Sequence, residues 1–184
     1  SFYPDCKDII PPDMPQPRGP PVKMTCFVDA DHAGDKVTRR SYTGIVILLN
    51  NAPIFWLCKR QNTVETSTFG SEFIALKAAT EHIEGLRYKL RMLGVRLDGP
   101  TNILCDNMSV VKTSTMPDSR LKKKHNSIAF HKVREAVSAG ITRIGHVISA
   151  ENLADLFTKS LTAAKRIALL RGLMWMTNQS GAYE

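Results

Sequence analysis

Three acidic residues of this sequence adjoin apolar residues instead of lying in polar surroundings. Asp29 follows the run Met24–Val28 and Asp106 follows Ile103–Cys105, so each carboxylate is predicted to stand at the end of a buried strand. Glu72 lies on the apolar stripe of a long predicted helix. An ionised carboxylate is costly to bury unless a cation or hydrogen-bond donors accompany it. Three carboxylates converging from two strands and a helix therefore favour a site for a hard divalent metal ion, which prefers oxygen ligands.

Each of these acidic residues also has an ordinary structural interpretation. Asp29 and Asp106 are candidates for turn formers or helix caps, and Glu72 for an ion pair with a lysine or arginine. Asp155 is a fourth candidate ligand, early in a predicted helix where its charge would also suit the helix dipole. Asp31 competes with Asp29, because residues i and i+2 of a strand share a face. We prefer Asp29 because it directly adjoins the apolar run.

The elements that would position these carboxylates follow from the apolar pattern. Seven residues from Glu72 to Leu93 are separated by alternating intervals of four and three, which places them on one face of a helix predicted over Ser67–Leu93. Further apolar or amphipathic stretches predict strands at Met24–Val28, Tyr42–Leu49, Pro53–Cys58, Asn102–Asp106 and Ile141–Ile148, and helices at Ser109–Ser114, Lys122–Ala139, Asn152–Lys159 and Thr162–Leu173. This order indicates an α/β or mixed α+β domain.

Length and proline usage predict how the chain is divided. The 184 residues suffice for one domain, and a hydrophobic content of 43% is ordinary for a globular protein. Seven of the ten prolines fall within residues 1–22, which predicts an extended connection ahead of a domain at residues 23–175 and a tail at 176–184. Because the chain begins with Ser1 and not methionine, we expect a piece of a longer protein or a processed product.

Charge and cysteine usage restrict the partners and the compartment. Lys and Arg number 25 against 17 Asp and Glu, and the resulting charge of +8 favours an anionic partner such as nucleic acid. The four cysteines lack zinc-site spacing, and Cys26 and Cys105 lie in apolar runs, so we expect buried free thiols and an intracellular, reducing location. No apolar run is long enough for a membrane span, and no secretory signal opens the chain.

The order Asp29, Glu72, Asp106 and Asp155 resembles the four carboxylates of type I ribonucleases H. Local motifs resemble the ribonuclease H domain of copia-type retrotransposon polyproteins over residues 24–165, namely Val28-Asp29-Ala30-Asp31-His32-Ala33-Gly34, Thr38-Arg39-Arg40-Ser41 with Gly44, Lys59-Arg60-Gln61-Asn62-Thr63-Val64, Ser71-Glu72-Phe73, Cys105-Asp106-Asn107, Lys124-His125 and Asn152-Leu153-Ala154-Asp155-Leu156-Phe157-Thr158-Lys159. The resemblance implies a five-stranded mixed sheet flanked by helices, and a reverse transcriptase domain of the same polyprotein as a partner. Residues 1–22 would then be the remnant of the connection to that polymerase, whose Tyr-x-Asp-Asp motif this chain lacks.

The same resemblance implies hydrolysis of the RNA strand of an RNA–DNA hybrid, assisted by two Mg²⁺ ions, with Mn²⁺ as a possible substitute. Asp29 would be shared by both ions, Glu72 and Asp106 would hold the ion on the leaving-group side, and Asp155 would hold the ion that activates water. Many ribonucleases H have a mobile histidine before the fourth carboxylate. His146, nine residues before Asp155, is the candidate for that role, and the end of the fifth strand is its structural alternative.

Basic residues predict where a nucleic acid would contact the domain. Seven Lys or Arg and one Asp lie between Lys112 and Arg134, and the centre of this run is Lys122, Lys123 and Lys124. Such a run would contact phosphates, although a solvated helix face is the ordinary alternative. Further candidates are Arg39, Arg40 and Ser41 for the RNA strand, with Gln61 and Asn107 near the minor-groove hydroxyls.

Two other functions compete with the ribonuclease. One is a non-catalytic ribonuclease H-like domain that binds duplexes or braces a polymerase, although such a domain would normally have lost a carboxylate. The other is a transposase or integrase, whose essential glutamate usually follows the second aspartate on a helix, where Glu135 is the comparable residue. For a retroelement we expect a cytoplasmic particle, with a nuclear location left open, and the sequence does not indicate an oligomeric state.

Overall fold

The computed structural model of the protein describes residues 3–119 and 126–174. Its strands are β1 (Arg18–Val22), β2 (Met24–Asp31), β3 (Tyr42–Leu49), β4 (Ala52–Arg60), β5 (Val95–Leu97), β6 (Thr101–Cys105) and β7 (Thr142–His146). Its helices are α1 (Thr68–Met92), α2 (Met108–Thr115), α3 (Ser127–Ser138), α4 (Asp155–Thr158) and α5 (Ala163–Arg171). The predicted mixed α+β class is therefore confirmed.

The main sheet has five strands in the order β4-β3-β2-β6-β7. Strands β2, β3 and β4 are antiparallel neighbours, whereas β6 pairs parallel with both β2 and β7. The predicted five-stranded mixed sheet is thus confirmed. Because β2 and β6 are parallel, their carboxyl ends lie at the same edge of the sheet, where Asp29 and Asp106 are found.

Helix α1 covers one face of this sheet with the predicted apolar stripe. Phe73, Leu76, Ala79 and Ile83 are fully buried in the main core, together with alternate residues of β2. The helix begins where the Ser67 hydroxyl accepts a hydrogen bond from the amide of Gly70, and it is followed by Gly94 at φ +74°. These caps account for the close match between the predicted and observed ends.

A smaller core lies on the other face of the sheet, beneath α4 and α5. Val46 and Leu48 of β3 are buried there against Leu153 and Leu169. Helix α4 is also close to β4, since the exposed thiol of Cys58 donates a hydrogen bond to the carbonyl of Phe157. The predicted helix over Asn152–Lys159 is shortened to one turn, because the Asn152 side chain accepts the amide of Ala154 and bends the chain before the helix begins.

The four cysteines differ in burial. All four are free thiols, and Cys26 and Cys105 are buried, as predicted. Burial raises the pKa of Cys105 to about 12, and it raises the pKa of Cys26 as well, so both remain neutral.

Across residues 3–119 and 126–174, we find no helix with the length and apolar character needed to cross a membrane.

The proline-rich segment lies against the domain. Strand β1 pairs parallel with β5 in a separate two-stranded sheet, and neither strand was predicted. Earlier in the segment, before β1, the Asp8 carboxylate forms ion pairs with Arg87 and Arg91 of α1, and the Tyr3 hydroxyl lies 2.6 Å from Nδ1 of His131. These contacts fix the segment to the carboxyl-terminal half of α1 and to α3.

Other element boundaries also differ from the prediction. The fifth predicted strand, Ile141–Ile148, is the shorter β7. The helix predicted over Lys122–Ala139 is described from Ser127, since its first residues, like the predicted tail at 176–184, lie outside the described residues.

Candidate active site

The three acidic residues that adjoin apolar runs meet at one point in the fold. Asp29 is near the end of β2, Asp106 directly follows β6, and Glu72 is in the second turn of α1. One carboxylate oxygen from each lies within 4.8 Å of the other two. These side chains are brought together because β2 and β6 are neighbours and α1 packs across β2. Three oxygen ligands at this separation are suited to one divalent cation.

Glu72 is the carboxylate whose environment most disfavours a free charge. Its side chain is 5% exposed, and its Oε2 has no hydrogen-bond partner within the described part of the chain. Burial, followed by the charges of Asp29 and Asp106, raises the pKa of Glu72 to about 9. A buried oxygen without a donor is satisfied when a cation binds beside it.

Asp29 is buried but has donors on both carboxylate oxygens. Thr158 donates its hydroxyl to Oδ2, and the Lys159 ammonium lies 3.1 Å from Oδ1. Burial raises the pKa of Asp29, while the Thr158 hydrogen bond and the Lys159 charge oppose that increase. Thr158, at the end of α4, and Lys159, directly after it, therefore hold the Asp29 carboxylate in position.

Asp155, at the start of α4, is fully buried and is held by two lysines. Its Oδ1 accepts from Lys159 at 2.7 Å, its Oδ2 accepts from Lys165 at 2.6 Å, and Ser149 lies 3.4 Å from Oδ2. Lys159 also lies 3.6 Å from Oδ2 of Asp106. Lys159 thus links Asp155 to Asp29 and Asp106, whereas Asp155 itself is outside the group formed by Asp29, Glu72 and Asp106.

A glycine in β3 allows α4 to approach these carboxylates. Gly44 pairs with Asp29 across the sheet, and a Cβ atom at Gly44 would lie 2.7 Å from Cγ2 of Thr158 and 2.9 Å from the carbonyl of Ala154. Asn152 holds the preceding loop, since its Nδ2 donates to the carbonyl of Val28 at 3.1 Å. The contacts of α4 with Asp29 therefore depend on the missing side chain of Gly44.

An open groove beside the carboxylates includes a histidine that the sequence interpretation left without a function. His32 and Asp31 line this groove with Glu72, Asp106 and Lys159. The Nδ1 atom of His32 lies 3.5 Å from the hydroxyl of Ser71, the residue before Glu72. The position of His32 in the Asp-Ala-Asp-His motif was the available sequence signal. Asp31, the competitor of Asp29, lines the groove outside the three-oxygen group.

The predicted substrate residues fall into two kinds of position. Ser41, Gln61 and Asn107 make structural hydrogen bonds: Ser41 accepts the amide of Ala33, Gln61 donates to Thr43 and to the Ser71 carbonyl, and Asn107 caps α2. Arg39 and Arg40 lie in the loop between β2 and β3, where Arg39 is exposed and Arg40 is half-buried. The predicted contacts Lys122, Lys123 and Lys124 lie outside the described residues.

Asp35 organises the loop that carries the two arginines. Its carboxylate accepts from the amides of Val37 and Thr38 and from the hydroxyl of Thr38, and Arg60 of β4 is 2.9 Å away. The Thr38 hydrogen bonds, followed by that of Arg60, hold the pKa of Asp35 below its ordinary value. The loop is thereby attached to β4.

His146 is the last residue of β7. It lies opposite Cys105, the residue before Asp106, and its side chain is exposed. His146 thus lies at the end of the fifth predicted strand, as its structural alternative stated. A role of His146 in catalysis remains a prediction.

Comparison with known proteins shows sequence relatives in plant retroelements. The chain is 32% identical over 145 residues to the retrovirus-related Pol polyprotein from transposon RE1 of Arabidopsis thaliana, which covers 79% of this chain and 10% of that polyprotein. It is 30% identical over 133 residues to the corresponding polyprotein from transposon TNT 1-94 of Nicotiana tabacum, covering 72% of this chain and again 10% of the polyprotein. The chain thus spans a tenth of the length of these relatives. No protein-family model matches it.

Solved structures share the fold at low sequence identity. The N-terminal RNase H domain of Rv2228c from Mycobacterium tuberculosis superposes with a TM-score of 0.55 and 15% identity, covering 82% of this chain and 97% of that one. LC11-RNase H1 in complex with an RNA/DNA hybrid superposes with a TM-score of 0.58 and 17% identity, covering 74% and 94% of the two chains. At such identities the likeness is one of fold.

Proposed function

Because the chain has the ribonuclease H fold and is related to a segment of copia-type retrotransposon Pol polyproteins, we propose that it is a ribonuclease H that hydrolyses the RNA strand of RNA–DNA hybrids. The observation that carries this proposal is the meeting of Asp29, Glu72 and Asp106 at the carboxyl ends of two parallel strands, beside an open groove. Fold alone does not imply function, and these carboxylates supply the chemistry.

The residues at this point fit a divalent metal ion. All three ligand atoms are carboxylate oxygens, which hard cations prefer, and the buried Oε2 of Glu72 lacks a donor among the described residues. Asp29, Glu72 and Asp106 would hold the ion, and Asp155 would contribute to a second one. We infer that Mg²⁺ is the native metal, with Mn²⁺ as a substitute. When bound, such ions activate water and stabilise the leaving oxygen of a phosphodiester.

The groove and the surrounding charge support an extended anionic substrate. The net charge of +8 would attract a nucleic acid, and Arg39 and Arg40 lie in the loop that follows β2. One structural relative was solved in complex with an RNA/DNA hybrid, which is the substrate we propose here. The reverse transcriptase of the same polyprotein would be the natural partner, since it would supply such hybrids.

The test is cleavage of a labelled RNA–DNA hybrid, with single-stranded RNA, duplex RNA and duplex DNA in parallel, each with Mg²⁺ and with EDTA. We expect metal-dependent cutting of the RNA in the hybrid alone. Cutting of DNA would instead favour a recombinase, and hybrid binding without cutting would favour a duplex-binding module.

Replacing single ligands tests the site itself. Asp29→Asn and Asp106→Asn should each abolish cleavage while hybrid binding measured by fluorescence anisotropy is retained, because the neutral amide keeps the shape but loses the charge that holds the ion. Glu81→Gln is the matched control, since Glu81 is exposed on α1 and pairs with Lys77. Wild-type cleavage by both aspartate variants would refute the assignment.

A further inference from the structure

Lys159 contacts three of the four carboxylates of the proposed site. Its ammonium nitrogen lies 2.7 Å from Asp155, 3.1 Å from Asp29 and 3.6 Å from Asp106. It directly follows α4, so it is four residues from Asp155 and reaches over the same turn. The positive charge of Lys159 therefore lies between the carboxylates of Asp29 and Asp155.

The local charges determine what this lysine does to cation binding. When all four carboxylates are ionised, the ammonium groups of Lys159 and Lys165 leave a net charge of −2 at the site, which one divalent ion neutralises. A second divalent ion would have to bind against the charge of Lys159. Two like charges a few ångströms apart repel strongly where water is scarce, and Asp29 and Asp155 are both fully buried.

We propose that Lys159 is a resident counter-ion of the site and competes with the second divalent ion. Its ammonium keeps Asp29 and Asp155 together in the free protein, which then binds one divalent ion tightly through Asp29, Glu72 and Asp106. The second ion binds tightly only when the ammonium moves away. This inference rests on the proposed function, because it concerns the same metal site.

The side chain of Lys159 is placed to make that movement. It is 35% exposed, whereas the carboxylates of Asp29 and Asp155 are buried, and its four-carbon stem reorients without a change of backbone. Thr158 remains hydrogen-bonded to Asp29, and Lys165 remains paired with Asp155. The carboxylates thus keep one partner each when Lys159 leaves.

The experiment counts bound Mn²⁺ by electron paramagnetic resonance, without nucleic acid, in the wild-type protein and in Lys159→Met and Lys159→Gln. We expect one tight ion in the wild-type protein. In both variants we expect the second ion to bind about ten- to a hundredfold more tightly than in the wild type, because the positive charge that repels this ion is removed. Lys159→Arg keeps the charge and should retain the wild-type behaviour.

Lys165→Met is the matched control, because it removes the same charge from Asp155 but leaves Lys159 in place. An equal gain in Mn²⁺ affinity for Lys165→Met and Lys159→Met would show that overall charge, and not the position of Lys159, governs binding, and would overturn the proposal. Unchanged binding in folded Lys159 variants would also overturn it, while leaving the proposed function intact. A wild-type protein that binds no Mn²⁺ would overturn both.

Discussion

Replacing Glu72 with glutamine is expected to stabilise the protein in the absence of divalent ions. Glu72 is 5% exposed, lies beside Asp29 and Asp106, and has an Oε2 atom without a donor among the described residues. In the unfolded chain its carboxylate is ionised and hydrated at neutral pH. Folding therefore requires the side chain either to take up a proton or to remain charged near two other carboxylates. Glutamine is neutral in both states, so this cost disappears.

The size of the effect follows from the pKa of Glu72, which is raised from 4.5 to about 9. At pH 7.5 protonating the side chain costs about 4 kcal/mol, at roughly 1.4 kcal/mol for each pH unit above its ordinary value. Relaxation around the charge reduces this upper limit, so we expect a gain of about 1–3 kcal/mol.

The pH dependence has a definite sign. Because the folded-state pKa is raised, the contribution of Glu72 to stability is fully present below pH 4.5 and is lost as the pH rises to about 9. The advantage of the variant over the wild type should therefore increase from pH 5.5 to pH 8.5.

Urea unfolding in EDTA at pH 5.5, 7.5 and 8.5 measures these differences. Glu81→Gln, an exposed position on the same helix, should show no such trend. Added Mg²⁺ should stabilise the wild type and not Glu72→Gln, because the variant has lost a ligand. A Glu72→Gln protein that is less stable than the wild type at pH 8.5 in EDTA would refute the electrostatic explanation.

Two further substitutions test how the site and the domain are held together. Gly44→Ala should destabilise the protein by about 1–3 kcal/mol in urea unfolding and reduce hybrid cleavage, because its Cβ would displace Thr158; an unchanged cleavage rate would contradict the role given to this glycine. Asp8→Asn should cost about 2 kcal/mol in the same unfolding assay, because Arg87 is buried and loses its ion pair, and a loss below about 0.5 kcal/mol would indicate that the segment contributes little.

The sequence was sufficient for the parts of the fold that local patterns determine. The stripe from Glu72 to Leu93 specified α1, because a single helix face recurs at intervals of three and four residues whatever it packs against. The runs ending near Asp29 and Asp106 specified β2 and β6, because central strands are apolar on both faces. The convergence of three carboxylates followed from these elements together.

The remaining features depend on contacts between distant residues. Asp8 and Arg87 are 79 positions apart, and nothing local to the proline-rich segment indicates that it packs on α1. The roles of Lys159 and Lys165 as partners of Asp155 were not predicted, because lysines are common at the surface of helices and most of them are solvated. Gln61 was predicted to lie near the substrate, but it is buried and donates hydrogen bonds to Thr43 of β3 and to the Ser71 carbonyl of α1. Its burial follows from the packing of α1 near β3, which the residues around Gln61 do not indicate.

Because Cys58 contacts Phe157, a label attached to the Cys58 thiol would report the position of α4. Cys58 is the exposed cysteine of the four, and the high pKa values of buried Cys26 and Cys105 protect those two from alkylation. With Cys6 replaced by serine, a fluorophore would attach selectively at Cys58, beside the turn that carries Asp155 and Thr158. Its emission would then report displacement of that turn in real time, independently of cleavage.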